Sequence, residues 1–239
     1  TQEERRVTLM GVPIDALRMD EVVQRCEQAI DQRSRLHIGV VNAAKIVNMH
    51  RNDALRHAVL TSDMIFADGM SVVWAARMLR RPLPERIAGI DLMAALLQRA
   101  HERRFRVYCL GATEEVLATA TQRMQAEYPN MVLAGKHHGY FSQAEEPQVA
   151  ADIAAARPDM LFVAMTSPKK EQFLARWAGQ VEVPICHGVG GSFDVLAGKV
   201  RRAPRLWQRL GLEWLYRVIQ EPGRMWRRYL VTNTLFLGM

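Results

Sequence analysis

Short apolar runs alternate with amphipathic segments along most of the chain, and this alternation limits the fold more than any other feature. The apolar runs begin at or near Leu36, Met64, Phe105, Met131, Met160 and Val181, and the last of them ends at Cys186. Between the runs, one helix is expected to begin at Ser142 and to reach Arg157. Buried parallel strands appear in a sequence as such continuous apolar runs, and helices must join them because parallel strands need crossover connections. Residues 36–190 therefore predict an α/β fold with a doubly wound, mostly parallel sheet and helices on both faces.

The last forty-odd residues differ in charge from the rest of the chain. Residues 196–239 contain nine Lys and Arg against two Glu, which accounts for the whole formal net charge of +7 in the 239-residue chain. Three of the five tryptophans also lie there. We predict two parts: an α/β core at residues 1–195 and a helical, basic appendage at residues 196–239.

The appendage combines Arg with Trp, Tyr and aliphatic residues, which is typical of a segment attracted to an anionic membrane surface. Pro222 is expected to divide it into two helices. A solvated basic face and a nucleic-acid-binding arm are the alternatives. The bulky aliphatic residues among the arginines favour the membrane, and the neutral core argues against nucleic acid. With a charged beginning and no long apolar run, we expect a cytoplasmic protein, peripheral on the membrane.

Polar side chains follow two neighbouring apolar runs. Asn42 comes directly after 36–41, and Asp68 with Gly69 comes directly after 64–67. Ligands of open α/β sheets bind outside the carboxyl ends of the strands, so Asp68 is a candidate catalytic carboxylate with Gly69 giving the backbone room to turn. The alternative is that Asp68 only caps a helix beginning near Met70.

Three further turns from strand to helix could bind phosphate. They contain Gly111, then Thr166, Ser167, Pro168 and Lys169, and finally Gly188, Gly190 and Gly191. Each offers backbone N–H groups and a helix N-terminus, although each taken singly is also compatible with plain turn chemistry. All three would lie on one edge of the sheet, which favours a nucleotide-phosphate pocket.

No metal or cofactor site is expected. The pair His137–His138 lacks a third ligand at metal spacing, and the chain has no Asp-x-Asp sequence. The three cysteines have no metal-type spacing, so buried free thiols are expected. Arg and Lys would then have to neutralise a bound diphosphate.

The motifs in this chain resemble those of the WecG/TagA/CpsF family of bacterial glycosyltransferases. The resemblance rests on Phe66-Ala67-Asp68-Gly69, Arg86-x-x-Gly89-x-Asp91-Leu92, Ser167-Pro168-Lys169-x-Glu171, Gly188-Val189-Gly190-Gly191-x-Phe193-Asp194, Gly198-Lys199-Val200-x-Arg202-Ala203-Pro204, Leu212-Glu213-Trp214-Leu215-Tyr216-Arg217 and Glu221-Pro222-x-Arg224. It extends from about residue 8 to 230.

The resemblance implies an inverting, metal-independent transfer of a sugar from a UDP-sugar to an undecaprenyl-diphosphate-linked sugar at the cytoplasmic face of the membrane. Such reactions build cell-surface polysaccharides or teichoic acid-type polymers. Family members use UDP-N-acetylmannosamine or its uronic acid, and some transfer other hexoses. The resemblance is also compatible with a homo-oligomer, although no residue fixes one.

The resemblance also assigns roles to residues. Asp68 matches the proposed general base, Arg86 matches a residue that stabilises charge during transfer, and Asn42 belongs to the first strand-end motif. Gly69, Asp91, Glu171 and Asp194 are expected on the donor side with the three phosphate turns. The tail arginines are expected to hold the acceptor diphosphate or meet the membrane: Arg202, Arg217, Arg224, Arg227 and Arg228.

Two positions depart from the family pattern. Val40 stands where many members have Thr, and Lys170 stands where the family has Gln. Lys170 is expected in the active site, where it could pair with a donor carboxylate or phosphate, and we interpret it as a sign of an altered donor sugar. The alternative function is that of a catalytically silent, membrane-associated UDP-sugar-binding protein.

Overall fold

A six-stranded parallel sheet forms the centre of the computed structural model, which describes residues 5–220 and 222–238. An antiparallel hairpin, β1 (Arg6–Leu9) and β2 (Val12–Asp15), precedes it. The sheet consists of β3 (Leu36–Val41), β4 (Met64–Ala67), β5 (Arg106–Gly111), β6 (Val132–His137), β7 (Met160–Ala164) and β8 (Ile185–Gly188). Their order across the sheet is β4-β3-β8-β7-β5-β6. The predicted doubly wound α/β fold is confirmed.

The helices cover both faces of the sheet. They are α1 (Met19–Asp31), α2 (Ala43–Met49), α3 (Asp53–Leu60), α4 (Met70–Met78), α5 (Gly89–Arg103), α6 (Glu114–Glu127), α7 (Glu146–Ala156), α8 (Lys169–Trp177), α9 (Ser192–Leu196), α10 (Arg205–Arg209), α11 (Glu213–Gln220) and α12 (Pro222–Leu237). α1, α5 and α6 pack on one face, and α2, α3, α4, α7 and α8 pack on the other.

Alternation along the strands supplies both cores. In β7, Met160 and Phe162 contribute to the core beneath α5 and α6, while Leu161 and Val163 contribute to the core beneath α7 and α8. All four side chains are fully buried. Because successive strand residues point to opposite faces, a strand covered on both sides must be apolar throughout, as the sequence indicated.

Two predicted boundaries are wrong. The last strand begins at Ile185 and not at Val181, because Pro184 has no N–H for a ladder and Glu182 has a left-handed φ of 50°. The strand then continues beyond Cys186 to Gly188. The helix expected from Ser142 begins at Glu146, after a turn in which the Ser142 N–H and hydroxyl both donate to the Glu145 carboxylate (2.7 Å each).

The end of the chain packs back on the core. The appendage forms α10, α11 and α12, with the last two helices on either side of residue 221, as Pro222 predicted. Phe236 of α12 is 5% exposed and lies in the same core cluster as Ile46 of α2 and Val72 of α4. In the described ranges, no helix has the length and apolar character that crossing a bilayer requires. The core–appendage boundary near residue 196 stays a prediction.

Candidate active site

The predicted polar strand ends lie on the same edge of the sheet. Asn42 follows β3 and Asp68 follows β4, while the phosphate turns follow β5, β7 and β8. Since β8 is inserted between β3 and β7, it places the Gly188–Gly191 turn between Asn42 and the Thr166–Lys169 turn. The strand order therefore gathers the predicted donor-side turns next to the candidate catalytic carboxylate.

Asp68 is held by the segment that starts α5. Its Oδ1 accepts a hydrogen bond from the Gly89 N–H (3.0 Å), and its own N–H donates to the Val41 carbonyl (2.8 Å). The expected alternative, a cap on the helix near Met70, is not what the structure shows, because Gly69 occupies that position with no side-chain cap. Within the described residues, the other carboxylate oxygen of Asp68 has no hydrogen bond, so it can accept one from a ligand.

A buried histidine supports the same segment from below. The fully buried His187 donates from Nε2 to the Gly89 carbonyl (3.0 Å), so Gly89 bridges His187 and Asp68. Burial lowers the pKa of His187 to about 4, which keeps the ring neutral near pH 7. Sequence analysis missed His187. The only signal was a polar residue inside an apolar strand, which needs a partner when buried.

Asn42 is in contact with the Asp68 turn. A Cβ atom on Gly69 would come within 3.3 Å of the Asn42 Cβ, so a larger residue would push the two strand ends apart. The Asn42 Oδ1 accepts from the Lys45 N–H (3.0 Å) and caps α2. Asn42 therefore has a structural role here whether or not it contacts substrate.

Three buried charged side chains, which we call the inner cluster, lie behind these strand ends. The inner cluster consists of Lys45, Lys170 and Glu171. The Glu171 Oε1 is 2.8 Å from the Lys45 Nζ and 3.4 Å from the Lys170 Nζ, and the three side chains are 7–12% exposed. Lys45 also donates to the Val40 carbonyl (2.7 Å). A cavity of about 20 Å³ adjoins the cluster, which is room for a water-sized group but not for a sugar nucleotide.

The inner cluster stays charged in spite of its burial. Burial alone would raise the pKa of Glu171, but Lys45 and Lys170 attract the carboxylate and lower that pKa to about 2. Burial and the neighbouring Lys45 lower the pKa of Lys170 to about 8, against the opposing attraction of Glu171 and Asp68. Lys45 was not predicted. The available signal was its position within the apolar stretch Ala43–Val47. A lysine in such a stretch is expected to be buried, and a buried lysine needs a carboxylate partner.

Lys170 runs across the glycine-rich turn after β8. A Cβ atom on Gly188 would lie 2.7 Å from the Lys170 Cδ, and one on Gly190 would lie 3.8 Å from its Nζ. Gly188 thus leaves the space through which the Lys170 side chain passes. This close approach explains why a glycine stands there, independently of any role in binding phosphate.

The side chain of Lys169 is engaged elsewhere. Its Nζ donates to the carbonyls of Gly139 (2.9 Å) and Phe141 (2.7 Å) and lies 4.2 Å from the centre of the Phe141 ring. Lys169 therefore fixes the loop after β6. The preceding residues of its turn, Thr166, Ser167 and Pro168, are exposed at the edge of the sheet. Gly111, at a φ of 127°, touches the Ala164 carbonyl so closely that only glycine fits.

A second set of charges, the outer cluster, joins α5 to the appendage. It consists of Arg86, Asp91, Arg202 and Glu213. Arg202 binds Asp91 through two parallel hydrogen bonds (2.6 and 2.7 Å), and Arg86 donates to Glu213 (2.7 Å). Arg86 and Asp91 are 3.6 Å apart, and the Arg202 Nε is 3.8 Å from Glu213. The structure thus brings together the predicted Arg86, Asp91 and Arg202, whereas Glu213 was noted only as part of a motif.

The remaining predicted residues lie further from Asp68 or outside the described side chains. Asp194 is in the first turn of α9, and the Gly191 backbone lies beside its carboxylate. Arg217 is exposed on α11. The side chains of Arg224, Arg227 and Arg228 lie outside the described part of the chain. Across the described ranges, no group of three His, Cys, Asp or Glu side chains is placed to hold a metal ion.

The fold and site define an α/β protein with a carboxylate and several cations at the carboxyl edge of a parallel sheet, a placement typical of enzymes that bind nucleotides. Comparison with known proteins gives the family. The model of the WecG/TagA/CpsF glycosyl transferase family matches residues 7–239, and the chain belongs to this family. It is therefore a glycosyltransferase, as the motifs predicted.

Curated relatives agree with the family model. A protein of Staphylococcus aureus (strain MW2) is 36% identical over 233 residues, which cover 95% of this chain and 91% of the relative. A protein of Bacillus spizizenii (strain W23) is 36% identical over 201 residues, covering 84% and 77%. Both are named N-acetylglucosaminyldiphosphoundecaprenol N-acetyl-beta-D-mannosaminyltransferase.

Proposed function

We propose that this glycosyltransferase moves an N-acetylmannosamine-type hexosamine, its uronic acid or another hexose from a UDP-sugar to a sugar linked to undecaprenyl diphosphate. The names of the two relatives support the acceptor and the type of sugar. In this proposal the product is an intermediate of a cell-surface polymer, and the enzyme works on the inner face of the membrane as a peripheral protein.

The Asp68 carboxylate at the carboxyl end of β4 carries the proposal. One of its oxygens is held by the Gly89 N–H (3.0 Å), and the other has no hydrogen bond among the described residues. A carboxylate held in this way suits a general base. Asp68 also raises the pKa of Lys170 and of Arg202, although burial dominates the pKa of Lys170 and the Asp91 hydrogen bonds dominate that of Arg202.

The reaction then needs no metal. An acceptor hydroxyl attacks the anomeric carbon of the donor, and Asp68 takes the hydroxyl proton. The bond between the anomeric carbon and the β-phosphate oxygen breaks, and UDP leaves with the electron pair. Backbone N–H groups of the turns after β7 and β8, together with Arg86 and Lys170, would stabilise the charge that develops on the diphosphate.

Asp68→Asn tests the role of the base without removing the contact that holds it. Asn keeps an oxygen for the Gly89 N–H but cannot accept the hydroxyl proton, so UDP release should fall by about 10²–10⁴-fold. The assay measures UDP release from a panel of UDP-sugars in EDTA, with and without a polyprenyl-diphosphate-GlcNAc analogue. The donor that gives acceptor-dependent release identifies the sugar.

Asp63→Asn is the matched control. Asp63 accepts from the His37 N–H (2.7 Å) at the start of β3, on the opposite edge of the sheet, so its substitution should leave UDP release unchanged. Binding of a UDP-sugar without turnover across the panel would instead favour the silent binding protein.

The same panel tests the proposed altered donor. If Lys170 selects the donor, Lys170→Gln should change the order of preference among the UDP-sugars. An unchanged order in an active variant would mean that the family's glutamine and this lysine serve the same donor.

A further inference from the structure

The exposed apolar side chains of the protein are concentrated on one helix of the core and on the appendage. On and just after α4, Met78 is 84% exposed, Leu79 is 57% exposed and Trp74 is 46% exposed. Of the twelve large apolar side chains that are exposed in the described chain, nine lie on this segment or between residues 206 and 231. An apolar surface shared by two separate stretches of sequence is a candidate for an interaction site.

The two stretches touch each other. Gly211, in the turn between α10 and α11, packs against α4. A Cβ atom there would come within 2.7 Å of the Trp74 ring and 2.9 Å of the Met70 Cβ. Leu210, which directly precedes Gly211, is 52% exposed. The exposed part of α4 is therefore continuous with the beginning of the appendage.

The charge of this surface is also one-sided. Residues 70–84 contain Arg77, Arg80 and Arg81 and no acidic residue. All three are exposed, and neither Arg77 nor Arg80 has a salt-bridge partner among the described residues. Trp74 and Met78 are four residues apart on α4 and therefore lie on the same side of the helix. Arg77 lies beside Met78 at the end of α4, and Arg80 and Arg81 follow directly after the helix.

We propose that the exposed end of α4, with Leu79 and Arg80, docks on an anionic lipid bilayer together with α10 and α11. Exposed Met and Leu side chains next to arginines without carboxylate partners match a bilayer, whose headgroups are anionic and whose interior is apolar. The core thus contributes directly to membrane docking, in addition to the basic appendage. This inference rests on the proposed peripheral attachment to the membrane.

Vesicle co-sedimentation of the full chain tests the proposal. The probes are phosphatidylcholine vesicles with and without phosphatidylglycerol. Met78→Ser with Leu79→Ser should lower the partition coefficient about tenfold or more on the anionic vesicles, because both side chains leave water on docking. Arg77→Gln with Arg80→Gln should lower it about tenfold on anionic vesicles and little on neutral ones.

Matched controls lie on the far side of the sheet. Val132→Ser removes an exposed apolar side chain of β6, and Arg104→Gln removes an exposed arginine after α5. These variants should partition like the wild type. All variants should turn over a short, water-soluble acceptor analogue at the wild-type rate, because none of these residues lies in the active site.

Each outcome supports or overturns a specific statement. If the wild type binds vesicles and both α4 double variants bind them equally well, the α4 inference is overturned and peripheral attachment remains in place. If the wild type turns over the soluble acceptor but does not bind anionic vesicles, both the α4 inference and the proposed peripheral attachment are overturned. A change in oligomeric mass of the Met78/Leu79 variant with unchanged partition would assign the surface to a second copy of the chain.

Discussion

The inner and outer clusters are built differently. In the inner cluster, two lysines share one carboxylate and all three side chains are at most 12% exposed. In the outer cluster, two arginines face two carboxylates, and the side chains of Asp91 and Arg202 are 38% and 27% exposed. The inner cluster joins helices of the core, whereas the outer cluster joins the core to the appendage.

This difference separates a fixed support from a contact that a ligand can replace. Buried charges cannot lose a partner without a large desolvation cost, so the inner cluster must stay intact throughout catalysis. The side chains of the outer cluster are 13–38% exposed, so salt screens these pairs more than the buried ones, and a diphosphate could take the place of Glu213 or Asp91 on the arginines. The following changes test that contrast, from the largest expected effect to the smallest.

Glu171→Gln should strongly destabilise the fold. The substitution leaves two buried ammonium groups without their carboxylate, a change that typically costs about 3–5 kcal/mol. Urea denaturation at pH 7 measures the free energy of unfolding. Glu102→Gln is the control, since Glu102 binds Arg99 on the exposed surface of α5 (2.6 Å), and its stability should match the wild type. A wild-type midpoint for Glu171→Gln would show that the inner cluster is not a fixed support.

Lys170 should make stability rise with pH in alkaline solution. Its pKa is lowered from 10.5 to about 8 in the folded protein, so between these values the unfolded chain binds more protons than the folded one. Stability therefore increases as pH rises from about 8 to 10.5, by roughly 2 kcal/mol from this group. The measurement is the difference between wild type and Lys170→Gln in urea midpoints across that range, which cancels other titrations. A constant difference would contradict the lowered pKa.

Glu213→Gln should have a small effect on overall stability and a local effect on the appendage. Its cost should be well below that of Glu171→Gln, because Asp91 still lies 3.6 Å from Arg86 after the substitution. Hydrogen exchange of α11 amides should become faster in this variant, and also in the wild type when salt is raised to about 1 M. Amides of α2 and α8, beside the inner cluster, serve as the internal control and should not respond. Equal responses in both regions would remove the distinction between the clusters.

The residues of the candidate site that could be predicted are those whose signal lies in neighbouring sequence positions. Asp68 and Asn42 were found because polar residues directly follow apolar strands. Lys45 and His187 were missed because each lies inside an apolar segment and acquires its role only from a distant partner. Lys170 was predicted to face the donor, and that role stays a prediction; the structure adds its ion pair with Glu171.

The charge distribution also shows what a sequence cannot reveal about contacts between distant segments. The formal charge of the sequence lies entirely in the appendage, which made that segment the only predicted membrane surface. In the structure, α4 meets the turn at Gly211 through Met70 and Trp74, so a core segment with a local excess of positive charge (residues 70–84) adjoins the appendage. A sum over the core hides this excess because acidic residues elsewhere cancel it.

The sequence by itself determined the alternation of strands and helices, the parallel sheet and the edge on which the site lies. These follow from local spacing and from the rule that parallel strands end on the same side. Only the tertiary structure decided which charges meet: Lys45 with Glu171, and Arg86 with Glu213, more than a hundred residues apart. For Lys45 and Glu171 the physical reason is the strand order, because only β8 lies between β3 and β7, the strands that precede their helices. For Arg86 and Glu213 it is the packing of the appendage on the core. Local periodicity contains no information about either.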